Sequence, residues 1–223
     1  LVPSALRAPV RLTAGVRLSR VNMRIIHRDH FTLTCAEDLA AQGEYFADVI
    51  CKHAMQGSGF VEGATFQIGW CILKLVMSDK QLELQEPDYT TNPFLNYRSD
   101  ISNSLKVLLA QNELIQRANA IPWPARFDER IVIRKGCLSE ARLYMERSKP
   151  TANDSGWYIS EAGEQSTPDP SELESIYSFE LLSLRPALLS CLLLPPGWLA
   201  IWQGSKIEAV VNAEDQVILS EMQ

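Results

Sequence analysis

Apolar residues recur along this chain with two spacings, and each spacing predicts a different element. Between Thr34 and about Met55, Leu39, Phe46, Val49, Ile50 and His53 fall at helical intervals, and Gly57 and Gly59 follow. That pattern predicts an amphipathic helix stopped by the glycines. Thr34 and Glu37 predict a capping box at its start, each side chain satisfying the other's free backbone N–H. From Ala64 to Met77 the period becomes two, with Phe66, Ile68, Trp70 and Ile72 alternating with Gln67, Gly69, Cys71 and Leu73. A strand is expected there, turned by "SDK" at 78–80 into "QLELQEP" to make a hairpin. A second helix is expected in "SDISNSLKVLLAQNELIQRANA", with Leu105, Leu108, Leu109 and Ile115 on one face and Asp100 or Ser99 as its cap.

"AIPWPARFDE", from Ala120, suits neither helix nor strand and marks the expected domain boundary. Beyond it come short strand-like pieces at 130–135, 141–147, 156–160, 198–203 and 207–211, with a helical stretch, "SFELLSLRPALLSCLLL", divided by Pro186. Strands in succession with inserted helices give an α+β class, without the regular alternation of a parallel sheet. The expected organisation is an amino-terminal α+β domain over 23–125, with two helices and a hairpin. A smaller α+β domain with an antiparallel sheet follows over 126–223.

The 223 residues are 46% hydrophobic and 22% charged, enough apolar material for a real core. The longest apolar run, "ALLSCLLLPPGWLAIW" from Ala187, is broken by Pro195, Pro196 and Gly197, so no membrane span is expected. Residues 1–28 hold Arg7, Arg11, Arg17, Arg20, Arg24 and Arg28 and no acid; without those six charges the net −6 becomes −12. The arginines break every window a signal peptide would need, and Met23 resembles a natural start, making 1–22 an upstream extension or a transit-like leader. The five cysteines, Cys35, Cys51, Cys71, Cys137 and Cys191, form no C-x-x-C pair, which argues for reduced thiols in a cytoplasmic protein and against a zinc finger.

Catalytic candidates are few. His27, Asp29 and His30 could approach a metal, but the spacing is unspecific and a solvated loop is the simpler reading. On a helix Cys51 and His53 point apart. "QGSGF" at 56–60 lacks nucleophile-elbow spacing, and neither a phosphate loop nor a dinucleotide fingerprint occurs. Glu172 and Glu174 could form an acid and base pair of a small hydrolase, yet nothing nearby in sequence would raise a pKa by burial. No catalytic residue, metal or cofactor is expected. The acidic body of the chain would be repelled by phosphates, so nucleic acid is not an expected partner.

The stretch from Asn153 to Glu180 carries Asp154, Glu161, Glu164, Asp169, Glu172, Glu174 and Glu180 without one Lys or Arg. Charge of one sign steers a partner of the other, and aromatics beside it, Trp157, Tyr158 and Tyr177, could anchor an interface. Alternatively Trp157 or Tyr158 is a core residue of a strand.

"RLYMERSKPTANDSGWYISEAGE" and "IYSFELLSLRPALLSCLLLPPGW" carry an ordered pattern: Tyr144, Met145, Glu146, Arg147 and Pro150; Asp154, Ser155, Gly156 and Trp157; Gly163 and Glu164; Tyr177; and Leu188 to Gly197. Over roughly residues 130–211 the chain resembles immunity family thirty-three of bacterial polymorphic toxin systems. It departs in the Glu-Arg order of "MERSKP" and the longer acidic turn. The resemblance implies a non-enzymatic inhibitor of a cognate toxin or effector, such as one delivered by type VI secretion, with an adaptor or chaperone as the alternative. The acidic stretch then suggests a basic groove on the toxin, as in a nuclease. The expected binding surface is Asp154, Trp157, Glu161, Glu164, Asp169, Glu172, Glu174, Tyr177 and Glu180.

Overall fold

A computed structural model describes residues 22–57, 59–163 and 167–220, so nearly all of the expected leader lies outside the described residues. The architecture is α+β with two sheets. The smaller sheet contains β1 (Met23–His27), β2 (Thr32–Ala36), β3 (Thr65–Ile68), β4 (Cys71–Ser78) and β5 (Gln81–Pro87), in the order β1-β2-β5-β4-β3, with the short β6 (Tyr97–Arg98) paired to β5. Helices α1 (Ala40–Gln56) and α2 (Ser102–Ala118) accompany it.

Two expectations change here. The capping box at Thr34 does not form, because Thr34 sits inside β2 opposite Ile25; one 3-10 turn, Glu37–Leu39, then leads into α1. β2 is buried on nearly every side chain, so "TLTCA" lacks the alternation that announces a strand. The stretch from Ala64 to Met77 is two strands rather than one. Gly69, at φ +56, and the buried Trp70 turn the chain between them, and the inward phase shifts to Cys71, Leu73 and Leu75.

Two carboxylates serve the first turn of α2. Asp100 Oδ1 accepts from the Ser102 N–H at 3.0 Å and from the Ser102 hydroxyl, and that hydroxyl accepts the Ala36 N–H at 2.8 Å, tying the helix to β2. Glu86, fully buried, accepts from the Ser104 N–H at 2.8 Å and from Asn103 Nδ2 at 3.1 Å. At the far end Asn119 adopts the left-handed conformation, φ 47, and its N–H returns to Gln116 and Ile115.

The larger sheet has seven strands: β7 (Arg130–Arg134), β8 (Arg142–Arg147), β9 (Asp154–Glu161), β10 (Leu173–Tyr177), β11 (Leu199–Gln203), β12 (Lys206–Val211) and β13 (Val217–Ser220). Their order is β10-β7-β9-β8-β11-β12-β13, antiparallel throughout except for the parallel pair β7 and β9. Alternation places Ile133, Ile159, Met145, Ala200 and Val210 in register on one face, all buried. The leucine-rich stretch covers that face as a helical turn, α3 (Leu181–Leu184), and a 3-10 run, Pro186–Leu193, divided before Pro186 as expected.

One continuous core joins the halves. Gln111 Nε2 on α2 donates to the Leu189 carbonyl at 2.9 Å, and Tyr89 stacks on Trp70 and meets Phe127 and Phe179. The proline-rich segment after α2 is held from both sides: Trp123 and Ala125 donate to Leu193 and Leu192, and Phe127 donates to Trp70. Four cysteines are buried and Cys51 is half-buried, all of them free thiols. His30 stacks on Phe60 at 4.4 Å.

Candidate functional site

"DSGW" opens β9 with a bulge built from its own polar groups. Gly156 stands at φ +77, and a Cβ there would run into the Ser148 carbonyl, which only glycine avoids. Asp154 Oδ1 accepts the Gly156 N–H at 2.7 Å, while the Ser155 hydroxyl donates to the Arg130 carbonyl at 2.7 Å. The register shift between Arg130 and Val132 on β7 lies beside it. Trp157 then points inward.

Under Trp157 lies Arg147, 2% exposed and without a carboxylate partner among the described residues. Its guanidinium donates to the carbonyls of Ser155 at 3.0 Å, Leu194 at 2.6 Å and Trp123, and sits 5.5 Å from the centre of the Trp157 ring. Burial pulls its pKa down to about 10, with Glu129 opposing. A planar fork of donors satisfies three backbone acceptors at once, so this charge joins β8, β9, the proline-rich segment and the end of the 3-10 run. Sequence reading missed that role, because the partners are carbonyls from three distant segments.

The later part of the acidic stretch, β10, forms a free edge of the larger sheet while β9 runs inside it, and most of the stretch's carboxylates have local work. Asp169 accepts from Ser171 N and Glu172 accepts from Asp169 N, a reciprocal capping box around the 3-10 turn Pro170–Glu172. Glu180 Oε1 accepts the Tyr177 N–H at 2.8 Å. Backbone hydrogen bonds hold the Asp169 carboxyl below its ordinary value. The stretch is also not without cations, as its composition suggested. β10 pairs with β7, which brings Arg134 to Glu172 at 3.3 Å, Lys135 Nζ to the Ser171 carbonyl at 2.6 Å, and Arg130 over the Tyr177 ring at 4.2 Å. These neighbours lie too far away in sequence for local charge counting to find.

The expected surface therefore separates. Glu161 and Glu174 are exposed and make no hydrogen bond or ion pair among the described residues. Asp169, Glu172 and Glu180 are accessible but tied to backbone, and Tyr177 is half-buried against Phe179, Phe94 and Arg130. Asp154 is tied to the β9 bulge. Trp157, expected as a surface anchor, is 1% exposed and belongs to the core, because the bulge at Gly156 sets the phase that turns it inward. Glu164 lies outside the described residues. No group of three or more His, Cys, Asp or Glu among the described residues could hold a metal.

A comparison with protein families bears on exactly the segment just described. Residues 110–213 match the Imm33-like domain. The match lies in the carboxyl-terminal part of the chain, over the segment whose Asp-Ser-Gly-Trp pattern carried the resemblance. The matched segment begins inside α2 and takes in Arg147, the β9 bulge, the acidic edge and the sheet through β12. No curated protein and no solved structure matches the chain.

Proposed function

We propose that the chain is an immunity protein that binds a cognate antibacterial toxin and neutralises it by covering its active site or substrate groove, with no catalysis of its own. The observation that carries this reading is the Imm33-like match over 110–213. The exposed Glu161, at the end of β9, and Glu174, on the edge strand β10, support a basic partner surface, which a nuclease would supply. In this reading the protein acts in the cytoplasm of the producing cell. The test is co-expression in a sensitive cell of the toxic domain encoded in the adjoining reading frame, with and without this chain, followed by purification of the pair. Rescue with a stable complex supports immunity. A stable complex with unrelieved killing would make the chain an adaptor, and neither rescue nor binding would refute both.

A further inference from the structure

The larger sheet has a second face. Strand register sets Val132, Tyr158, Glu146, Leu199 and Val211 in one row across β7, β9, β8, β11 and β12. The adjacent row places Tyr144 between Ser160 and Ile201. All these side chains alternate with the buried ones, so they point away from the core. A sheet face left to water ordinarily carries polar residues at such positions. Here Val132, Tyr144, Tyr158, Leu199, Ile201 and Val211 are half-buried, and none of them joins the core cluster. Tyr144 and Tyr158 meet edge to face at 5.9 Å, and Ser160 beneath them is buried with an Oγ that has no hydrogen-bond partner among the described residues.

Charge on this face is asymmetric. Arg134 is engaged by Glu172, and Arg142 holds Glu208 through two hydrogen bonds of 2.8 and 2.6 Å. Glu146, flanked across the strands by Tyr158 and Leu199, is exposed, and its carboxylate has no ion pair or hydrogen bond among the described residues. It opens onto a recess of about 270 Å³ whose walls include Trp198, Leu199 and Val211 and whose second carboxylate is Asp215, also exposed. Arg147 reaches the recess but is committed to backbone carbonyls.

We infer that this outer face is where the toxin seats, through an apolar patch laid over the two tyrosines and Ile201 and a Lys or Arg side chain entering the recess. An aliphatic stem fits the Trp198, Leu199 and Val211 walls while its cationic head meets Glu146 and Asp215. Rigid tyrosines at the centre of the patch are of the residue types enriched in interface hot spots, and the two carboxylates of the recess lie beside them. The inference rests on the immunity reading and adds the surface and the chemistry of the contact.

The test measures affinity for the toxic domain of the adjoining reading frame, using Glu146→Lys, the double variant Glu146→Lys with Ile201→Lys, and Glu113→Lys on the exposed side of α2 as a control. The single change is expected to weaken binding about tenfold and the double about a hundredfold. The control should stay within about twofold, since it lies off the face. Hydrogen exchange of the wild-type complex should show added protection at 142–146, 156–160 and 199–203 whether or not the variants fold. Wild-type binding with unchanged variants, or protection mapped elsewhere, overturns this face and leaves immunity standing. A wild-type chain that does not bind the toxin overturns both. A dimer of the free chain that Ile201→Lys dissociates would assign the face to a second copy instead.

Discussion

Glu86 shows how one buried side chain can make the fold depend on pH. Its carboxyl is withdrawn from water, which pushes its pKa up to about 7; the Ser104 N–H and Arg98, opposite it on β6, oppose that rise. The folded protein therefore binds a proton that the unfolded chain, with a carboxyl near 4.5, has released. Stability from this group is fully present below the unfolded value and is lost as pH rises through about 7. The loss amounts to roughly 3 kcal/mol across that window. Replacing Glu86 with Gln keeps an acceptor for Ser104 and removes the titration. Urea unfolding at pH 5 and pH 8 should show a smaller fall for the variant than for the wild type, and equal falls would mean that Glu86 stays ionised in the fold. Gly156→Ala makes a simpler case, since it forces a side chain onto the Ser148 carbonyl at a left-handed φ. A loss of roughly 3 kcal/mol is expected in the same assay, and a change under about 0.5 kcal/mol would show that the bulge relaxes freely.

At the level of elements, legibility followed burial pattern. The five strands expected after the boundary all form, as short apolar runs bounded by turn residues, each sending at least one side chain into the core. β2 escaped notice because it is buried throughout, and β10 because an edge strand with the exposures of Glu174 and Ser175 reads as a loop. The turn at Gly69 and Trp70 was hidden because a buried tryptophan gives no polar punctuation. Asp169 and Glu172 carry the spacing of a capping box, a local signal for the cap that the charge of the stretch obscured. Arg147 had no such signal, and it predicts how the elements depend on one another. Arg147→Met should leave the carbonyls of Ser155, Leu194 and Trp123 without their shared donor and cost about 3 kcal/mol. Arg147→Lys should recover little, because one ammonium cannot reproduce the planar fork. Thermal unfolding decides the matter, and full rescue by Lys would mean that charge alone, without geometry, holds the segments together.

At the scale of the whole molecule, the question is what the acidity of the chain accomplishes. Pairing of β10 with β7 compensates part of the acidic stretch, and four of its carboxylates bind backbone N–H groups. Reversing those four would confuse lost caps with lost attraction. Glu161 and Glu174 permit a cleaner experiment, being exposed and unpartnered among the described residues. Glu174 lies opposite Ile133, on the core side of the sheet, but β10 is the last strand and its side chain reaches water beyond the core. An exposed charge at a sheet edge also discourages pairing with another chain, which gives this residue a reason to exist without any toxin. The two purposes separate kinetically. If these two charges steer a basic toxin, Glu161→Lys with Glu174→Lys should slow association about tenfold at low salt, and the difference should shrink as salt screens it while dissociation stays nearly constant. If Glu174 only protects the edge, the association rate should not move, and the double variant should instead self-associate at concentrations where the wild type remains monodisperse.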